Sequence, residues 1–161
     1  VNFSKTRVGI GLGDGEVPQA ALDVRGDIIG GCPVYFGATS TAYRYASSTG
    51  TVIIFDSLIK SRGGGYDTST GRFTVPLAGT YRFDFYARQH GSTSAYSRLR
   101  INGTAQQFGR CYFGEASVMV SLAAIHELNV GDIVDIIMQE STAARITNQY
   151  NGFIGQYISS L

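Results

Sequence analysis

One stretch, residues 63–83 (GGGYDTSTGRFTVPLAGTYRF), restricts the fold of this chain more than any other segment. Three consecutive glycines, Gly63 to Gly65, are costly in a helix or a packed strand, because glycine loses the most backbone freedom on folding. Residues 67–71 have the composition of a tight turn, in which Asp and Ser side chains bond to nearby backbone amides. The stretch therefore predicts a bend and a turn rather than a helix.

Two strands are predicted after this turn. Residues 72–75 alternate polar and apolar side chains until Pro76, which has no amide proton and ends a strand ladder. Farther on, Tyr81, Phe83 and Phe85 occupy every second position, so they share one face of a strand. We expect a bent hairpin with one aromatic face.

The composition agrees with an all-β protein that has one main domain. The 161 residues include 21 glycines, 10 tyrosines and 9 phenylalanines, whereas only 16% are charged, below the roughly 25% that is usual. The net charge of +1 creates no field that would recruit nucleic acid or an anionic membrane. Because no apolar run approaches the length of a membrane span, we expect neither nucleic-acid binding nor membrane insertion.

Turn signals at regular intervals divide the chain into predicted strands. Gly50, Asn102-Gly103 and Gly131-Asp132 are examples, and the segments between such signals are rich in β-branched and aromatic residues. Even spacing of this kind is typical of a sandwich or a jelly roll. The predicted strands are 34–40, 51–59, 72–75, 80–88, 96–101, 106–113, 117–125, 132–139 and 153–158.

Several of these motifs together resemble one known family. The pattern GGYDxxTGxFxxPxxGxYxF, present as residues 64–83, is similar to the central motif of the globular head of complement C1q, in the C1q/tumour-necrosis-factor (TNF) superfamily. Residues 52–56, 128–134 and 152–155 are similar to further strands of that family, so the resemblance covers roughly residues 33 to 161. It implies a C1q/TNF-like jelly-roll sandwich that assembles as a homotrimer.

Residues 118–128 fit two periodicities. One pattern fits an amphipathic helix, with apolar residues at Val118, Leu122, Ile125 and Leu128. The other fits a strand, in which Val118, Val120 and Leu122 alternate with other residues. The family resemblance favours the strand.

The first 31 residues differ in character from the rest. Residues 8–28 (VGIGLGDGEVPQAALDVRGDI) resemble a VGIGxxxPxAxLDVxGDI leader of phage tail fibres and bacterial surface fibres, although Leu12-Gly13-Asp14 replaces the usual pair of hydroxyl residues. The glycine spacing from 9 to 15 does not match a nucleotide-binding loop. We predict a fibre leader or shaft junction over residues 1–31 and a C1q-like tip domain over residues 32–161.

The predicted strand 132–139 carries apolar residues on both faces, as a strand covered on both sides would. Covering of the second face by neighbouring chains would agree with the trimer that the resemblance implies. For each contact candidate, packing inside the core of one chain is the alternative role. The candidates for contacts along the threefold axis are Tyr81, Phe83, Phe85, Ile137 and Phe153.

Recognition is the function that the polar residues favour. Arginine binds carboxylates and phosphates through two parallel hydrogen bonds, and tyrosine offers a flat ring with a hydroxyl group. Such residues concentrate in the middle third of the sequence, where acidic residues are scarce, and around residue 44. For each one, the alternative role is the solvated face of a strand. The predicted ligand-binding residues are Arg88, Tyr96, Arg98, Arg100, Arg110, Tyr112, Tyr43, Arg44 and Tyr45.

Patterns for catalysis and for metal binding are weak. Neither histidine lies in a catalytic motif, so no enzyme activity is predicted. Members of the C1q family often hold calcium near the trimer apex, but the matching loop, residues 112–117, offers Glu115 and no aspartate. Because calcium usually takes several carboxylates, we expect no metal and no cofactor. Cys32 and Cys111 are expected to be unpaired thiols; a bridge would need their Cα atoms within about 7 Å.

These features predict a non-enzymatic, homotrimeric tip of a phage or bacterial surface fibre. Such a tip would be extracellular, on a virion tail or a bacterial cell surface, and would adhere to a glycan or protein receptor on a target cell. An anionic glycan is the receptor class that the arginines favour. One alternative is a purely structural domain that registers three chains and caps the fibre. A second is a secreted C1q/TNF-like ligand, against which the leader argues.

Overall fold

The computed structural model of the chain describes residues 2–4, 7–10, 17, 22–24, 32–45, 50–90, 95–113, 119–139 and 145–160. Contacts divide the chain into two compact units, Val1–Gly31 and Cys32–Leu161, and each is described by itself. The strands of the first unit are β1 (Asn2–Ser4), β2 (Arg7–Ile10) and β3 (Leu22–Val24). β1 and β2 are antiparallel, and β3 lies parallel to β2. The sequence patterns did not predict these three strands.

The second unit contains two six-stranded sheets, of which the first is called sheet I. Its strands are β4 (Tyr35–Thr39), β5 (Arg44–Tyr45), β7 (Ser57–Arg62), β10 (Gly79–His90), β13 (Met119–Leu128) and β15 (Arg145–Ser159). Their order is β13-β10-β15-β4-β7, and β5 pairs with the beginning of β15. All pairs are antiparallel.

The second sheet of this unit is called sheet II. Its strands are β6 (Thr51–Val52), β8 (Tyr66–Asp67), β9 (Arg72–Thr74), β11 (Ala95–Ile101), β12 (Thr104–Phe113) and β14 (Ile133–Gln139). Their order is β12-β11-β14-β9-β8, with β6 paired to β14. Both sheets contribute to one hydrophobic core. The predicted all-β jelly-roll sandwich is confirmed.

Strand β13 decides between the two periodicities of residues 118–128. Leu122, Ala124 and Leu128 are buried, whereas Ile125 on the other face is 62% exposed. This alternation is that of a strand, so the helical alternative is wrong. The described part of the chain contains no helix, and hence none that is long and apolar enough to cross a membrane.

Aromatic rings fill the centre of the core. The ring of Phe36, from sheet I, stacks on Phe73 of sheet II with centroids 4.9 Å apart, and on Tyr66 at 4.6 Å. Phe153 meets Phe36 edge-on at 5.1 Å. Rings in such offset and edge-to-face arrangements attract each other beyond the effect of buried area. The aromatic alternation in the sequence is therefore a core pattern.

The turn at Asp67 forms as its residue types predict. The Asp67 carboxylate accepts hydrogen bonds from the Ser69 hydroxyl and amide at 2.7 and 2.8 Å, and from the Thr70 hydroxyl at 2.9 Å. These bonds, with that of the Ser69 hydroxyl foremost, lower the pKa of Asp67. Gly71 ends the turn with a φ of +71°, which glycine adopts without a steric penalty. Gly65 is needed for space as well, since a Cβ there would lie 2.5 Å from the Thr74 carbonyl oxygen.

Asn102-Gly103 forms the tight hairpin between β11 and β12 that its sequence predicts. The φ angles of the two residues are +49° and +80°, as a type I′ turn requires. The Asn102 side chain also donates to Asp132 and accepts from the Ile133 amide, both at 2.8 Å. The bond from Asn102 is the main reason that the pKa of Asp132 is lowered. One turn thus ties β11 to β14.

Strand β14 corrects the interpretation of its two apolar faces. Val134, Ile136 and Met138 belong to the core. On the opposite face, Asp135 and Ile137 are also buried, although only one chain is present. The Asp135 carboxylate is covered by arginines of the same chain, and the register sets Ile137 between Arg98 and Val52. Neighbouring chains are therefore not needed to explain this strand.

The two ends of the sandwich differ in what they carry. At the end called proximal, the Cys32 sulfur lies 3.2 Å from the Tyr157 carbonyl oxygen, and Thr80 pairs with Ser159. Cys32, the first residue of the second unit, thus lies beside the C-terminal end of β15. The opposite end, called distal, contains the end of β10, the start of β11, the end of β12, the start of β13, the end of β14 and the start of β15.

Candidate functional site

The strand registers bring most of the predicted ligand-binding residues to the distal half of the second unit. On β11 and β12, Tyr96 pairs with Tyr112, and Arg98 pairs with Arg110. Strand β5, with Arg44 and Tyr45, pairs with the start of β15 at the same end. Only the backbone positions are described for Tyr45, Tyr96, Arg110 and Tyr112.

Arg88 lies apart from the arginines with which the sequence grouped it. It belongs to β10 of sheet I, whereas Arg98, Arg100 and Arg110 belong to sheet II. The Arg88 guanidinium carbon lies 5.9 Å from the ring centroid of Tyr150. The distance is typical of a cation–π contact. The middle third of the sequence therefore supplies two separate surfaces and not one.

Tyr150 is a residue of this end that the sequence interpretation missed. Its φ of +59° is rare for a residue other than glycine, and its side chain is 60% exposed. The next residue, Asn151, is buried; it accepts from the Ser40 amide at 2.7 Å and donates to the Thr147 carbonyl at 2.8 Å. These bonds fix the backbone beside Tyr150. No local sequence signal marks a tyrosine for this conformation.

Arg44 has a structural partner. Its guanidinium lies 2.7 Å from the Asp56 carboxylate and donates to the Ser40 hydroxyl at 2.7 Å. Asp56 also accepts from the amide and the hydroxyl of Thr41 at 2.8 and 2.9 Å. Burial alone would raise the pKa of Asp56, but the bonds from Thr41 and the charge of Arg44 outweigh it and lower the pKa. Arg44 thus holds the chain between β4 and β5, and the adjacent Tyr43 is exposed.

The arginines of β11 differ in their partners. Arg100 donates two hydrogen bonds to Asp135, at 2.8 and 2.6 Å, and Arg72 lies 3.5 Å from the same carboxylate. The Arg98 Nε is buried and has no hydrogen-bond partner among the described residues. Arg100 is therefore neutralised inside the chain, whereas Arg98 forms no ion pair with any residue of the described part of the chain.

The residues predicted for the trimer axis lie inside a single chain. Tyr81, Phe83, Phe85 and Phe153 belong to the core, and Ile137 is 5% exposed on the outer side of sheet II. Fully buried side chains have no surface to give to a neighbouring chain. Core packing, the alternative that the sequence left open, is the role of these aromatic residues.

A different apolar surface covers the outer side of sheet I. Ile125 and Ile158 are 62% and 51% exposed there. The register places such residues on the face opposite the core, because Ile125 pairs with Arg82 and Ile154 pairs with Asp84, and neither partner belongs to the core. We call this set the apolar outer face; its members are Tyr86, Met119, Ile125, Ile154 and Ile158.

A groove of about 490 Å³ runs along the apolar outer face. Its lining includes Gly37, Gly152, Tyr35, Tyr86 and Ile154. A Cβ at Gly152 would lie 2.6 Å from the Tyr86 ring, so the ring lies directly on the strand there. The alternation of β15 predicts two faces but does not say which one meets the core, and for this reason the sequence interpretation missed this surface.

Residues 35–156 match the family model of the C1q domain. The chain belongs to the C1q domain family. The match includes every strand from β4 to β14 and most of β15. The resemblance found in the sequence is confirmed for the head domain, and the fibre leader of residues 1–31 stays a prediction.

Solved structures show the same fold for the C1q domain of this chain. The globular domain of zebrafish complement 1qA protein has a TM-score of 0.64 at 22% identity, over 80% of this chain and 99% of that one. Murine APRIL at pH 8.5 gives 0.63 at 16% identity, over 78% and 98% of the two chains. The PRD1 vertex protein P5 gives 0.56 at 14% identity, over 81% and 100%.

The described residues of this C1q domain contain no group of three His, Cys, Asp or Glu side chains that could hold a metal ion. Glu115, on which the calcium prediction depends, lies outside the described residues. The Cys32 thiol is free, so it forms no bridge with Cys111.

Burial of His126 predicts that the stability of the C1q domain depends on pH. Its Nε2 is buried without a partner among the described residues, and burial lowers its pKa. The unfolded chain therefore binds a proton more readily, and stability that is complete above a pH of about 6.5 falls as the pH decreases toward the folded pKa. We expect a smaller loss of urea resistance between pH 7 and pH 5.5 in His126→Gln. If His126→Gln loses as much urea resistance as the wild type does, and His90→Gln loses none, the pH dependence comes from His90.

Proposed function

We propose that the chain is a non-enzymatic, homotrimeric C1q domain at the tip of a surface fibre, where it adheres to a receptor on a target cell. The observation that carries this proposal is the apolar outer face of sheet I. Several exposed apolar side chains on one face of a sheet are typical of protein interaction sites, whereas single ones are common on any surface. The sequence resemblance to the C1q family implies a trimer. We therefore infer that two further copies of the chain cover this face.

The charged residues of the apolar outer face do not oppose association. Arg82 donates two hydrogen bonds to Asp84, at 2.8 and 2.9 Å. An arginine and a carboxylate that satisfy each other lose less on leaving water than two unpaired charges would. The groove beside Tyr86 and Ile154 offers a concave surface into which a side chain of a neighbouring copy would fit. These features support burial of this face in the trimer.

Receptor contact is assigned to the distal end. Residues 1–31, which resemble a fibre leader, precede Cys32, and Cys32 lies at the proximal end. The distal half contains tyrosines and arginines, and these residue types are enriched where proteins bind partners. Three copies side by side would raise a weak affinity per site by orders of magnitude. The domain would then be extracellular, on a virion tail or on a bacterial surface; the same fold occurs in the PRD1 vertex protein P5.

Replacing Ile154 with lysine tests the trimer. We expect the wild-type chain to have about three times its chain mass of 17.3 kDa in light scattering. Ile154→Lys should give monomers, because three unpaired charges would be buried in the interface. Val130→Lys is the matched control, since Val130 is an exposed apolar residue between β13 and β14, at the proximal end. A monomeric wild-type protein would refute the proposal.

Adhesion is tested separately from assembly. The fluorescent 161-residue trimer should bind to the cells that the intact fibre recognises, and it should compete with that fibre. A trimer that neither binds nor competes would support the purely structural alternative, in which the domain only registers three chains and caps the fibre. Ile154→Lys should lose most adhesion even if each copy keeps its binding site, because avidity is lost.

A further inference from the structure

One arginine lies at the distal edge of the apolar outer face. Arg88 is two residues from Tyr86 on β10, so the two side chains lie on the same side of the sheet. Its register partner on β13 is Met119, and Tyr86 and Met119 both belong to the apolar outer face. The Arg88 side chain is partly exposed. A positive charge that solvent can reach therefore borders the surface that the trimer would cover.

Arg88 keeps its charge within one chain. Arg82, on the same side of β10, is neutralised by two hydrogen bonds to Asp84. No ion pair among the described residues includes Arg88. Its guanidinium carbon lies 5.9 Å from the ring centroid of Tyr150 instead. A cation–π contact of this kind orients a guanidinium but leaves its charge in place.

Tyr150 is a fixed support for this guanidinium. Its φ of +59° is rare outside glycine. The side chain of the next residue, Asn151, accepts from the Ser40 amide and the Thr39 hydroxyl at 2.7 and 3.1 Å, and donates to the Thr147 carbonyl at 2.8 Å. Rare backbone conformations persist only where the surroundings enforce them, and they are frequent at ligand sites. The backbone that carries the ring under Arg88 is thus held in advance.

The carboxylates of sheet I lie too far along the strands to neutralise Arg88. In the described strands of this sheet they are Asp84 and Glu127. Asp84 is four residues or about 13 Å away along β10, and Glu127 lies opposite Thr80, eight residues or about 26 Å away. Copies related by a threefold axis keep each residue at one height along that axis. A neighbouring copy therefore brings a second Arg88 to this level, and no described carboxylate of sheet I.

We propose that three Arg88 side chains, one from each copy, bind one tetrahedral oxyanion, phosphate or sulfate, at the distal end of the threefold axis. The proposal rests on the trimer of the proposed function and deepens it. Three unpaired guanidinium groups at the edge of one interface would repel one another. An oxyanion between them offsets this repulsion, because a guanidinium binds such an anion through parallel, charged hydrogen bonds.

The symmetry of the trimer favours a tetrahedral anion over a carboxylate. Three of its four oxygens can each face one Arg88, whereas a carboxylate has only two oxygens. The fourth oxygen would point away from the domain at the distal end. A phosphate or sulfate monoester of the receptor could then occupy the site in the same way as the free ion.

The test is calorimetric titration of the 161-residue protein with inorganic phosphate and with sulfate, after light scattering has established the oligomeric state. We expect about one anion bound per three chains, since each copy supplies one arginine. Sodium chloride at the same ionic strength should not reproduce the signal, because screening alone does not saturate at a fixed stoichiometry. Methyl phosphate distinguishes the two sources of the anion. Binding of this ester would make a receptor monoester the source, and its exclusion would leave the free ion as the occupant.

Variants separate Arg88 from the general positive charge of the protein. Arg88→Gln should weaken phosphate binding at least about tenfold, as the loss of charged hydrogen bonds does. Arg88→Lys keeps the charge without the planar fork; it should also weaken binding, and it serves if the glutamine variant does not assemble. Arg62→Ala removes an equal charge from the exposed strand β7 and should leave the affinity unchanged.

The outcomes distinguish this site from the function on which it rests. A trimer that binds neither phosphate nor sulfate, or binds one anion per chain, would overturn the site and leave the proposed adhesion intact. Equal phosphate affinity in the wild type and in Arg88→Gln would do the same. A trimer that binds one phosphate through Arg88 but adheres to no cell would support the site and refute the proposed adhesion.

Discussion

Arg100→Leu is expected to lower the free energy of unfolding by about 3–5 kcal/mol, the usual cost of removing one partner from a buried ion pair. The side chain of Asp135 is only 3% exposed. Its two short hydrogen bonds come from Arg100, and the remaining cation, Arg72, lies 3.5 Å away. Without Arg100, a carboxylate would stay buried with one distant partner. A loss of this size is a large fraction of the stability of a typical domain, about 5–15 kcal/mol.

Arg44→Leu is the matched control for this prediction. Arg44 also pairs with an aspartate, at 2.7 Å, but the Asp56 side chain is 33% exposed and keeps its two bonds to Thr41. The same substitution should therefore cost about 1 kcal/mol, as for exposed pairs. Both variants are unfolded with urea at one protein concentration, because assembly makes apparent stability depend on concentration. Equal losses in the two variants would contradict the role assigned to burial.

Phe153→Ala is expected to cost about 3–5 kcal/mol, as other removals of buried phenylalanine do. The Phe153 ring meets Phe36 at 5.1 Å, Phe55 at 5.9 Å, Phe83 at 6.0 Å and Tyr66 at 6.2 Å. Alanine would leave a cavity at the place where these four rings converge. Close packing around the site limits how far the core can collapse into that cavity.

Phe153→Leu separates the loss of volume from the loss of ring contacts. It keeps most of the apolar volume, so its cost should be the contribution of the ring pairs alone, about 1 kcal/mol. Both values come from urea unfolding followed by circular dichroism. A leucine variant as unstable as the alanine variant would show that ring geometry, and not the cavity, dominates at this position.

Local signals in the sequence were sufficient for the turns and for most strands of the second unit. They missed β5 and β8, and the predicted strand 51–59 is in fact divided between β6 of sheet II and β7 of sheet I. The Asp67 turn and the Asn102-Gly103 hairpin form within a few residues, so the residue types that specify them are adjacent in the chain. The resemblance to the C1q family then resolved residues 118–128, where two periodicities compete. Signals of this kind can be recognised without knowing which residues pack against the turn or the strand.

Other features depend on contacts that the sequence does not state. Alternation divides β15 into two apolar faces but does not show that Phe153 meets the core and Ile154 faces outward. Asp135 finds Arg100 across 35 positions through the pairing of β11 with β14. The positive φ of Tyr150 likewise arises from the surrounding sheet and has no local signature. Register and tertiary packing, rather than residue types, determine these features.

The proximity of the two ends of the second unit has a consequence for how such domains diversify. Cys32 and Ser159 both lie at the proximal end, and the strand connections of the distal end share no backbone with that junction. A domain whose first and last strands meet at one end can be transferred between longer chains as one piece without disturbing its opposite end. Under the proposed function, point substitutions at the distal end would change the receptor, while the aromatic core and the apolar outer face keep the scaffold constant.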